Sequence, residues 1–163
     1  MNTLKDLYID QLKDLYSACD QSIDVTIKLE DAATNADLKE ALHKGHKGTS
    51  AGKDVMAGIL RKHGEEPGGE HCHGMEGLVK EARKHALEEE FGDADVRDAM
   101  IITQYQRMAH YAIAGYGCVK AFAERLGFEE DAELLDRHLS NTYDGDEKFT
   151  DLAKGGINAK AAA

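Results

Sequence analysis

Between Leu4 and Ala33 the side chains of Leu4, Tyr8, Leu12, Leu15, Cys19, Ile23 and Ile27 recur every three or four residues. That spacing puts them on one stripe of a long amphipathic helix. Thr34-Asn35-Ala36-Asp37 interrupts the stripe and reads as a turn with an N-cap, the carboxylate of Asp37 serving the free N–H groups of the next helix. The second helix is predicted to run to His63 on a core line of Leu38, Ala41, Gly48, Val55 and Ile59. Gly64 suits the left-handed position beyond a helix end, and Pro67 forbids continuation.

A glycine-rich loop follows, then a short helix from about Met75 to Glu90 with Leu78, Val79, Ala82 and Leu87 on its apolar side. Gly92-Asp93 closes it, and Asp95 is placed to cap a third long helix with the stripe Ile102, Gln106, Ala109, Ile113, Tyr116 and Lys120. Gly127 ends that helix. Glu129 and Glu130 occupy the first turn of a fourth, where negative charge complements the helix dipole. Leu135, Leu139, Thr142, Asp146 and Phe149 form its inner line. Two long helices, a long crossover with a small helix, and two more long helices give an all-α fold, a ferritin-like four-helix bundle with a short extra helix in the B–C crossover. The bundle is predicted over residues 1–154. The stripe-less end, residues 155–163, is predicted to be a frayed tail.

Composition narrows the function. A single proline and few aromatics agree with helices throughout. A formal charge of −11 has the wrong sign for tracking a phosphate backbone, so no nucleic-acid partner is expected. The opening MNTLKDLYID carries charges where a secretory segment would be apolar, and no run is long enough to span a bilayer, so no membrane association and a cytoplasmic address are expected. Cys19, Cys72 and Cys118 form no even framework and are expected as free thiols.

Candidate chemistry is sparse. His71, Cys72 and His73 carry donors suited to zinc or copper, although three adjacent residues seldom close a tetrahedral site alone, and a solvated loop is the plainer reading. His110 and His138, on the flanks of inner faces, could join Cys19 or Asp146 in a mixed site. Cys19 lies on an inward line with no base placed beside it, which favours a buried small hydrophobe over a nucleophile. Tyr105, Tyr111 and Tyr116 at helical spacing read as packing, and Glu88-Glu89-Glu90 as a solvated face. Gly45, Gly48 and Gly52 share one face of the second helix. Each glycine there costs about 1 kcal/mol against alanine, so the line implies either a close helix approach or a cavity.

The segments LKDLYSA (12–18), AATNADLKEAL (32–42), CHGMEGLVKEA (72–82), VRDAMI (96–101), HYAIAGYG (110–117) and FTDLAK (149–154) together resemble the YciE/YciF subgroup of ferritin-like bacterial proteins. That subgroup is associated with stress responses and often labelled ferroxidase-like, so the resemblance implies a di-iron bundle. Carried over residue by residue, its presumed ligands are missing. Cys19 follows LYSA where relatives have Glu, Gly48 and Gly52 replace the second-helix Glu and its His or Gln, the EHYE pattern becomes Ala109-His110-Tyr111-Ala112, and the fourth-helix Glu pair becomes Asn141-Thr142 with only Asp146 still acidic. A di-iron bundle site needs about six hard ligands converging at one depth. Of the two Glu-x-x-His strings, Glu40 to His43 places His43 toward water, and Glu70 to His73 lies in the loop.

The expectation is therefore a stress-associated, non-catalytic binding or structural protein with no cofactor. The alternatives are an oxidase using iron or another transition metal at a variant site, and a small-molecule carrier. A mid-bundle pocket or a collapsed helix pair is expected around Cys19, Ser22, Thr26, Gly48, Gly52, Ala109, Ala112 and Thr142. Ile101, Met108 and Val119, an apolar flank beside the third stripe, predict a homodimer.

Overall fold

The structure, a computed structural model, describes residues 1–163 and contains no strand. Helices α1 (Leu4–Ala32) and α2 (Ala36–Lys62) form one antiparallel hairpin, and α4 (Ala94–Leu126) and α5 (Glu129–Leu152) the other. The hairpins pack α1 on α4 and α2 on α5, which leaves α2 and α4 diagonal. The crossover helix α3 (His73–Ala82), extended by a π-helical segment Arg83–Glu88, lies against α1 and α4.

Helix ends follow side-chain chemistry. Thr3 and Asp6 cap α1 reciprocally, Thr3 Oγ1 accepting from Asp6 N at 3.1 Å and Asp6 Oδ2 from Thr3 N at 3.0 Å. The cap of α2 is Asn35 rather than Asp37: Asn35 Oδ1 accepts from Leu38 N at 3.0 Å. The cap of α4 is Asp93 rather than Asp95, because Asp93 Oδ1 accepts from the N–H groups of Asp95 and Val96. In both cases the true cap lies two residues upstream, where the backbone is still extended and the side chain can turn back onto the first turn. Gly64 (φ 79°) and Gly127 (φ 75°) close α2 and α4 as the sequence predicts. After each, the next N–H reaches back to the helix, Glu65 N to Leu60 O and Phe128 N to Ala123 O, both at 2.9 Å.

The inner line of α1 corrects the apolar count. Ile23 is half-buried and Ile27 is 38% exposed, while Ser22, Val25, Thr26 and Leu29 are buried. Ser22 and Thr26 can turn inward because each hydroxyl donates to a carbonyl of its own helix, Cys19 O at 3.0 Å and Ser22 O at 2.8 Å. The tail is also corrected. Residues Ala153–Ile157 continue as π-helix into a terminal turn, Asn158–Ala161, and Ile157 is buried in the core against α4, so this end is docked rather than frayed. Ile101, Met108 and Val119 are buried too. The flank that the sequence offers to a second copy is used within one chain.

Two polar ties fix the ends of the bundle. The buried carboxylate of Asp98, on α4, accepts from Thr34 N (2.8 Å), Thr34 Oγ1 (2.7 Å) and Asn35 N (2.8 Å), clamping the α1–α2 turn. At the other end buried Asp131, on α5, accepts from Tyr8 Oη (3.1 Å) and Lys62 Nζ (3.0 Å) and pairs with His63 Nε2 (2.7 Å). The apolar core is split between them. One cluster gathers Val25, Leu29, Leu38, Leu42, Ile101 and the crossover helix near the Asp98 end, the other Tyr8, Leu12, Leu60, Val119 and Leu135 near the Asp131 end.

Candidate functional site

Between the two clusters lies a cavity of about 470 Å³. Its buried wall is α1 and α4, with Ala18, Cys19, Ser22, Thr26, Met108, Ala109 and Tyr116. Its exposed lining residues, Lys44, Gly48 and Ala51 on α2 and Asn141, Asp144 and Lys148 on α5, mark a mouth between those helices. From His138 to Lys148, α5 has no buried residue, because Asn141, Thr142, Asp144 and Gly145 are too short or too polar to fill the seam.

Three of the four glycines of α2, Gly45, Gly48 and Gly52, have separate roles. A Cβ at Gly45 would run into the hydroxyl of Tyr105, and a Cβ at Gly52 into that of Tyr116. Both tyrosines reach from α4 across the diagonal, and each hydroxyl is seated on a glycine. Tyr105 stacks on Phe149 (4.1 Å between centroids) at one end of the cavity, and Tyr116 on His138 (6.1 Å) at the other. Gly48, between them, has nothing within 4 Å of a Cβ and keeps the mouth open. Of the residues predicted for a pocket, Cys19, Ser22, Thr26, Gly48, Ala109, Ala112 and Thr142 line it, and Gly52 does not because Tyr116 fills the space beside it.

The polar lining offers donors, in Lys44, Asn141, Lys148 and the hydroxyls of Tyr105 and Tyr116, as well as acceptors. Ser22, Thr26, Thr49 and Thr142 each donate their hydroxyl proton to a carbonyl of their own helix, at 2.7 to 3.0 Å, which leaves oxygen lone pairs toward the cavity. Burial, and secondarily the Arg137 charge, lowers the His138 pKa, so its ring is neutral and can accept as well. Burial pushes the Cys19 thiol up to about 12, against the pull of Tyr116 Oη at 3.9 Å. A thiol held protonated in this way is neither a nucleophile nor a thiolate ligand.

Metal chemistry does not fit this cavity. No glutamate lines it, its one carboxylate is Asp144 at the mouth, and two iron ions require several hard oxygen donors at one depth. The mixed set proposed from sequence does not converge. Cys19 and His138 line the cavity, whereas His110, 64% exposed, pairs with Asp146 at 3.0 Å on the outer α4–α5 seam, where Gln106 also donates to Asp146. The loop set is divided as well. Cys72 is buried, capping α3 and bonded to Tyr111 Oη at 2.9 Å, and Tyr111 Oη donates to Asp14 at 3.0 Å. His71 and His73 turn outward and meet Glu76 Oε2, each at 3.1 Å.

Tyr116 and Phe149 are legible as inward positions and His138 as a flank, but none as a cavity wall, since a stripe gives direction and not reach. Comparison with known proteins supplies the context. The family described as a domain of unknown function (DUF892) matches residues 3–162. Protein YciF of Escherichia coli is 34% identical over 162 residues, covering 99% of this chain and 96% of that protein. The crystal structure of that protein, described as a stress protein, superposes with a TM-score of 0.89 at 33% identity over 97% of this chain and 99% of that one. YcfI from Rhodopseudomonas palustris superposes with a TM-score of 0.86 at 32% identity, covering 92% and 94% of the two chains. Order, spacing and fold thus agree from end to end, and the chain belongs to the DUF892 family.

Proposed function

We propose that this chain is a stress-associated, non-catalytic binding protein whose mid-bundle cavity takes a small, largely apolar molecule in the space a ferritin-like bundle gives to iron. The stress association rests on its likeness to YciF. The binding role rests on the cavity's size. At about 470 Å³, with a mouth between α2 and α5, the space falls in the size range of pockets that take small molecules. Walls of Ala, Met and Tyr with a few hydroxyls suit an apolar body bearing one polar group.

Gly48→Leu tests the reading, because its side chain enters the mouth without meeting an atom within 4 Å of the Cβ. The variant should gain about 0.5 to 1 kcal/mol in stability from helix propensity. It should also lose saturable binding of the neutral fluorescent probe N-phenyl-1-naphthylamine. Protein produced with iron supplied should contain no iron pair and oxidise Fe(II) at the background rate. Two irons per chain with Fe(II) oxidation above background, or probe binding indifferent to Gly48→Leu, would end this reading.

A further inference from the structure

The last turns of α1 and the first half of α2 bring together a set of side chains away from the cavity. Glu30 Oε1 lies 3.2 Å from His43 Nδ1, and Glu30 Oε2 lies 3.0 Å from His46 Nε2. The donor atoms of all three residues fall within 4.8 Å of one another, and none of the three residues lines the cavity. We propose that Glu30, His43 and His46 form a binding site for one divalent ion of the zinc type.

Two imidazoles and a carboxylate are the donors that borderline first-row ions prefer. Zinc holds nitrogen and oxygen ligands at about 2.0 to 2.2 Å, so two donors on a tetrahedral ion sit about 3.3 Å apart. The spacings of 3.0 and 3.2 Å are already close to that edge, and small side-chain rotations complete it.

The frame is rigid. His43 and His46, three apart on a 27-residue helix, share a face, and their rings cross at 86° with centroids 4.9 Å apart. The α1–α2 turn is held by the Asn35 cap and the Asp98 clamp, which fixes Glu30 against them. Exposure grades from 10% at the His46 side chain through 24% at Glu30 to 54% at His43, so protein ligands fill the inner side and a water completes the outer. The other set, His71, His73 and Glu76, is less suited. Both imidazoles share one oxygen of Glu76, the ammonium of Lys80 takes the other, and the His73 side chain is 85% exposed.

The test uses the full chain without an affinity tag, titrated with Co(II) by visible absorption and with Zn(II) by calorimetry. One ion per chain is expected, with a rise in unfolding temperature on binding. His43→Ala, an exposed change that should leave the fold intact by circular dichroism, and Glu30→Gln should each weaken binding at least about tenfold and cancel that rise. His73→Ala should leave affinity unchanged. No saturable binding by the unaltered chain would overturn the proposal. So would binding that His73→Ala abolishes and His43→Ala leaves intact.

Discussion

Asp98→Ala is expected to lower stability by about 3 kcal/mol, because charge-assisted hydrogen bonds contribute about 1.5 to 3 kcal/mol each and three are lost together. The full sum does not apply. Thr34 is exposed, so its N–H and hydroxyl recover part of the loss by turning to water, while the carboxylate itself is fully buried. Asp98→Asn keeps one acceptor oxygen but sets an NH₂ against N–H donors, and should fall between the two. Urea unfolding should show the midpoint moving with the slope unchanged, and amide exchange at Thr34 and Asn35 should quicken more than elsewhere. A loss below about 0.5 kcal/mol for the alanine variant would mean that the turn holds without its clamp.

Asp131→Asn should cost a similar amount, about 3 kcal/mol at pH 7, since the buried carboxylate bonds Tyr8, Lys62 and His63 at once and an amide sets an NH₂ among those partners. This loss should also depend on pH. Burial alone would raise the Asp131 pKa, but His63, Lys62 and Tyr8, all bonded to the carboxylate, outweigh it and hold the carboxyl below its ordinary 3.8. A carboxyl with a lower pKa folded than unfolded binds fewer protons in the native state. Its contribution is therefore complete above the unfolded pKa and disappears as pH falls through the folded one. The gap between the unaltered chain and Asp131→Asn, measured by chemical unfolding, should be widest near neutrality and shrink below about pH 4. A gap that is constant from pH 7 to pH 3 would place the energy in shape rather than charge.

The bundle is legible in the sequence because each long helix must turn one stripe inward, and four such stripes separated by the turn at Thr34–Asp37, the crossover after Gly64, and Gly127 admit few arrangements. The caps are less so. In Thr34-Asn35-Ala36-Asp37 several side chains can satisfy the same rule, and the path of the chain makes Asn35 the cap. Ile23 and Ile27 mislead because hydropathy ranks them above Ser22 and Thr26, whose hydroxyls are satisfied within the helix and so bury cheaply. Lost volume at Gly48, Ala109 and Ala112 implies either a pocket or a collapsed helix pair, and the seating of Tyr116 on Gly52 depends on a diagonal that no linear pattern records. Asp98, Asp131 and Glu30 meet partners about 13 or more positions away in sequence, and nothing local distinguishes them from solvated acids.

The division of the core has a consequence for how this chain can change. The two apolar clusters are centred toward opposite ends of the bundle, so packing losses at positions far apart in them should add rather than compound. Leu60→Ala and Ile101→Ala, one in each cluster, should combine additively within about 0.5 kcal/mol. Several cavity residues between the clusters, among them Ser22, Thr26, Gly48 and Thr142, belong to neither. Such a chain can exchange the chemistry of its middle, acid for alanine or histidine for glycine, while both ends continue to specify the same fold, so its evolution can revise what it holds without relearning how to fold.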